Sequence, residues 1–107
     1  MVLEIYGNYA EIKGNKRLLS LCREIKESAA NEIQNISAGF DDENEICDRV
    51  KKFLEKSLEK LVGKRQVKKI FQNVEKTIPK LSGALCYVIS EIGSRLGDME
   101  SDENDES

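Results

Sequence analysis

The chain has no histidine, no tryptophan, a single proline and only 6% aromatic residues. Without histidine it lacks the commonest general base and the commonest nitrogen ligand for zinc, so imidazole-based hydrolysis and histidine-bound metal sites are excluded. No run of 18 apolar residues occurs, which argues against a transmembrane helix. The amino terminus carries no signal-peptide pattern. The three cysteines, Cys22, Cys47 and Cys86, are an odd number with no close pairing, so free thiols in a reducing compartment are expected. Together these point to a cytoplasmic protein.

The sequence is rich in charge. Of its 107 residues 35% are charged and 39% hydrophobic, enough apolar material for one modest core. The net charge of −3 hides a segregated pattern. Residues 1–48 sum to −5, residues 49–80 to +8, residues 81–97 to zero and residues 98–107 to −6. Without its last ten residues the chain is mildly basic, at +3. The end is therefore a detachable acidic solubiliser with one apolar residue in ten, expected to be disordered because it cannot bury enough surface to offset the entropy of ordering.

The rest predicts one mainly α domain over 1–97, a bundle of three to four helices with a short N-terminal β-hairpin. Residues 2–13 alternate as two short strands around Gly7-Asn8, a pair suited to a type II′ turn. From 16 to 36 the period becomes helical, with Leu18, Cys22, Ile25, Ala29 and Ile36 on one stripe, Asn15 as N-cap and Gly39 as stop. A second helix over 43–62 follows the acidic run Asp41 to Glu45, whose charges favour a helix N-terminus, and Gly63 ends it. A short helix is expected over 65–74. The last, over 79–96, has Pro79 in its first turn, the rhythm Leu81, Leu85, Val88, Ile92, and Gly97 as terminator.

Motifs for chemistry are absent. Gly63-Lys64 lacks the preceding glycine and following hydroxyl of a phosphate loop, and Asp41 to Asp48 lacks the glycine of a calcium loop. No base stands at a spacing that would activate a cysteine. No catalytic residue, cofactor or metal site is assigned, and the chain is expected not to be an enzyme. One charged feature is regular: Lys52, Lys56, Lys60, Lys64 and Lys68 recur every fourth residue. On a helix continuing through Gly63 they would form a basic ridge able to meet phosphates. Glu55 and Glu59 lie within it, as ordinary helix-surface pairing also predicts.

The stretch Ile46 to Gly63, then Val67-Lys68-Lys69-Ile70-Phe71, then the helix Leu81 to Ile92, resembles small tail assembly chaperones of phages and prophages of Gram-positive bacteria. Two departures stand out: Asn73, one position beyond Gln72, occupies the region where a glycine often follows the Phe, and Val74 to Pro79 adds a turn. The resemblance implies a non-enzymatic helper that shields the tape-measure protein, a long hydrophobic helical chain, until tail-tube protein polymerises around it. It also implies an apolar groove for amphipathic helices, sought at Val50, Phe53, Leu54, Ile70 and Phe71, which would otherwise form the domain's own core. Two alternatives remain: a small nucleic-acid-binding or regulatory protein using the lysine-rich 49–80 segment, and a helical module that forms homo-oligomers. No membrane partner is expected.

Overall fold

The computed structural model is described with side chains for residues 1–14 and 16–96, and as backbone alone from 97 to 106. The expected cap Asn15 lies outside the described residues, as do the side chains beyond 96; the expected stop Gly97 does not end the last helix, whose backbone runs on to Glu106 rather than ending at 96. Among the described residues the order is β1 (Val2–Ile5), β2 (Asn8–Glu11), α1 (Lys16–Gly39), α2 (Glu43–Val62), α3 (Lys64–Ile70) and α4 (Ile78–Glu106). The architecture is mainly helical with a two-stranded antiparallel hairpin at its start, as the hydrophobic periodicity predicts.

Helix α2 begins where its acids require. The Asp42 carboxylate accepts the Asn44 N–H at 2.9 Å, filling one of the orphan donors of the first turn, and Glu43 and Glu45 sit on its positive end. It ends at Gly63, whose φ of 90° and ψ of 153° turn the chain sharply, with its N–H returned to the Glu59 carbonyl at 2.8 Å. A side chain would be strained there. Helix α4 starts after Thr77, whose hydroxyl accepts the Lys80 N–H at 3.3 Å.

Packing gathers around α2, which touches α1, α3 and α4. Its stripe Val50, Leu54, Leu58 and Leu61 is buried together with Val67 and Ile70 of α3 and Leu81, Ala84, Leu85, Val88 and Ile92 of α4. The inward residues of the hairpin, Leu3, Ile5, Ala10 and Ile12, join the same cluster. Among the described residues the only buried polar one, Ser57, donates its hydroxyl to the Phe53 carbonyl at 2.9 Å, and no buried side-chain N or O atom among them lacks a partner. At the α1–α2 corner the Arg49 guanidinium stacks over the Phe40 ring, 4.4 Å from its centre.

The hairpin differs from expectation by one residue. Ile5 pairs with Asn8 and Leu3 with Ala10, so Tyr6-Gly7, not Gly7-Asn8, forms the turn. Both turn residues have positive φ, 55° and 80°, which is the type I′ rather than the type II′ arrangement. Either register buries the same apolar residues, so alternation could not choose between them. Polar contacts to the helices decide. The Tyr6 hydroxyl donates to the Lys80 carbonyl at 2.6 Å, its ring meets Phe71 at 5.9 Å between centres, and the Lys80 ammonium lies 4.5 Å from the ring centre. Placing Asn8 in the strand lets its amide donate to the Ile70 and Gln72 carbonyls, at 2.8 and 3.1 Å, just where α3 runs out of helical donors.

Helix α3 is correspondingly shorter than the expected 65–74. It ends at Ile70, Phe71 adopts φ −96° and ψ 18°, and Asn73 has φ 61°, a left-handed conformation that asparagine tolerates better than most residues. Asn8 is thus a cap supplied from a distant part of the chain. Asn8→Ala should lower stability by about 1–2 kcal/mol, and Asn8→Asp by at least as much, because a carboxylate has no N–H to give. Thermal unfolding of both variants checks this. A harmless Asn8→Asp would show that the amide donor is dispensable.

Candidate functional site

The apolar stripe of α1 outlasts the core it packs on. Leu19, Cys22 and Ile25 in the first half of the helix are buried, whereas Ala29, Ile33 and Ile36 further along are only half covered. Across from them, α4 offers Leu85 and Ile89. Between the two helices lies a groove of about 650 Å³, with Leu54 of α2 among its lining residues. Its size is that of a ligand or peptide site, and its walls are mainly aliphatic.

The two rims differ chemically. Arg23 and Lys26 line the α1 side. The α4 side carries Ser82, Cys86, Ser90 and Gly93, spaced by four, four and three residues, so they follow one face of that helix. Small side chains allow a backbone to come close, and the two bases favour an acidic flank in whatever lies along α1. Among the described residues no group of three or more histidine, cysteine or acidic side chains could hold a metal ion.

Of the five residues at which a groove was sought, four lie elsewhere. Val50, Leu54, Ile70 and Phe71 are buried core residues, and Phe53 is half-buried against the same cluster. They form the centre of the domain, and only Leu54 also reaches the groove. The reason is the hairpin: Tyr6 and Asn8 close over Phe71 and the end of α3, covering the side that a helix-only view leaves open.

The lysines are all exposed, but they do not form one ridge. Lys52, Lys56 and Lys60 belong to α2, while Lys64 and Lys68 belong to α3, which leaves Gly63 in a new direction. Glu55 pairs with Lys76 at 3.1 Å rather than with a member of the row. Among the described residues, the further ion pairs Arg49–Glu45 and Arg95–Glu91 join neighbouring turns of α2 and of α4 and are exposed, so each adds little. No helix of the described residues is long and apolar enough to cross a membrane. No family model, curated protein or solved structure matches the chain.

The signals for the α1–α4 groove were present in the sequence: a helical stripe that continues to Ile36, and small residues one turn apart on the last helix. What could not be read was that the hairpin covers α3 and leaves this pair of helices open. Two of the three cysteines border the groove and differ in access. Cys22 is buried, and burial pushes its thiol up to about 11, whereas Cys86 and the distant Cys47 are exposed. The native protein should therefore react rapidly with a thiol reagent at Cys47 and Cys86 and slowly at Cys22, the third thiol appearing only on denaturation. Because the folded Cys22 keeps its proton above the unfolded value, its contribution to stability is present below pH about 9 and falls as pH rises toward 11. Counting thiols by mass after timed labelling checks the first point. Three equally fast thiols would contradict the buried position of Cys22.

Proposed function

We propose that the chain is a non-enzymatic protein-binding helper that holds an amphipathic helix of a partner in the groove between α1 and α4. The observation that carries this is the groove itself: about 650 Å³, lined by the half-covered Ala29, Ile33 and Ile89 together with the core residues Leu54 and Leu85. A third helix laid between two others buries its apolar ridge against both, and that is the usual way an amphipathic helix is recognised. The Ser82, Cys86, Ser90 and Gly93 edge admits close approach, and Arg23 with Lys26 favours acidic residues along the opposite flank of the guest.

The finer identity of the helper is a tail assembly chaperone of a phage or prophage, and its client is the tape-measure protein. This rests on the resemblance of the Ile46 to Phe71 segment and the last helix to that family. A long helical client would expose repeated apolar stripes, and a small charged domain covering them would limit aggregation.

Co-expression with amphipathic tape-measure segments tests both levels. Binding is expected, and Ala29→Glu and Cys86→Glu should each weaken it by about tenfold or more while leaving the thermal midpoint nearly unchanged. Binding that ignores both substitutions would remove the groove from the account. Absence of any association with tape-measure segments would remove the chaperone assignment.

A further inference from the structure

The hairpin has two edges, and they are treated differently. Met1 and Ile12 exchange both backbone hydrogen bonds at 2.8 Å, and strand pairing alternates from there. Leu3 with Ala10 and Ile5 with Asn8 are therefore the next bonded pairs. It follows that Val2 and Glu4 of β1, and Tyr9 and Glu11 of β2, turn their N–H and C=O groups away from the hairpin. On the β2 side this edge is partly covered: β2 lies along α3, and the Glu11 N–H donates to the Gln66 side chain at 3.0 Å. On the β1 side no described residue meets the N–H or C=O of Val2 or Glu4.

An open edge is normally guarded by lysine, proline or a bulge. β1, Val2-Leu3-Glu4-Ile5, has none of these three; the guards it does have are its four-residue length and the charge of Glu4. Among the described residues, three of the four large hydrophobic side chains that remain exposed, Val2, Tyr6 and Tyr87, stand on this strand, its turn or the helix beside it. Between β1 and α4 lies a notch of about 300 Å³ bordered by Glu4, Ile5, Tyr6, Gly83 and Tyr87. A strand laid along β1 would cover the exposed Tyr87 ring.

We propose that β1 pairs antiparallel with β1 of a second copy, joining two hairpins into a four-stranded sheet across a two-fold axis. The occupant follows from the register. Only Val2 and Glu4 offer outward groups, so the bonded pairs must be Val2 with the second copy's Glu4 and Glu4 with the second copy's Val2, centred on Leu3. That arrangement satisfies four N–H and four C=O groups with four hydrogen bonds. It sets each carboxylate opposite a valine, so no like charges face one another. The same patch serves both copies, as an isologous interface requires. This contact lies on a different flank of α4 from the helix groove and does not depend on it.

Sedimentation of the full chain over about 5–500 µM should reveal a monomer–dimer equilibrium. Glu4→Pro removes an N–H that has no partner within the hairpin, and proline is tolerated at such a position. The variant should raise the dimer dissociation constant by at least about tenfold, since two of the four bonds are lost. Val2→Glu tests the register without touching the backbone: it puts two carboxylates opposite each other and should weaken the dimer, and Val2→Glu with Glu4→Lys should restore it. Thermal midpoints of the same variants separate this from unfolding, because Val2 also faces Glu11 within the hairpin. A chain that stays monomeric throughout overturns the proposal, as does a dimer indifferent to the Val2→Glu and Glu4→Lys series. Pairing of β1 with a strand of some other protein, in a chain that does not self-associate, equally overturns it.

Discussion

Burial of one helix face holds this protein together. The stripe Val50, Leu54, Leu58 and Leu61 gives α2 an apolar side along most of its length, and the other three helices each find their cover there. In a chain with so much charge and so few aromatics, little other apolar surface is left to organise a core. The caps of α2 follow from the same demand. Asp42 at one end and the Gly63 turn at the other fix its length, so that the stripe begins and ends where its neighbours can reach it.

Helix α4 divides its circumference among three tasks. Leu81, Ala84, Leu85, Val88 and Ile92 enter the core. Ser82, Cys86, Ser90 and Gly93 border the groove toward α1, and Gly83 with Tyr87 faces the hairpin. Gly83 has a steric reason to be glycine, since a methyl group there would come within 2.9 Å of the Tyr6 hydroxyl. Gly93 has no such reason, for nothing lies within 4 Å of the same position. It therefore weakens the helix with no packing return, and an open groove wall is where a domain of this size can tolerate that.

Most of the helical framework was legible from periodicity and punctuation. The 43–62 helix was readable to the residue because acids, an unbroken stripe and Gly63 all agree. The hairpin turn and the end of α3 were not, for one shared reason. Both depend on contacts between residues more than fifty positions apart, Asn8 to the Ile70 carbonyl and Tyr6 to the Lys80 carbonyl, and local pattern carries no trace of them. The site suffered in the same way. Val50, Phe53, Leu54, Ile70 and Phe71 do form a contiguous apolar set, but whether such a set is core or groove depends on what covers it. Here the covering element is at the opposite end of the chain.

That arrangement constrains how the chain is made. Glu11, Asn8 and Tyr6 bond to residues 55, 62 and 74 positions later, so the first dozen residues leave the ribosome well before anything that will hold them. A two-stranded hairpin has little stability by itself in water. During synthesis Leu3, Ile5 and Ile12 therefore wait in solvent until α3 and the start of α4 have emerged. The hairpin strands, translated before α3 and α4, are among the last of these elements to become structured.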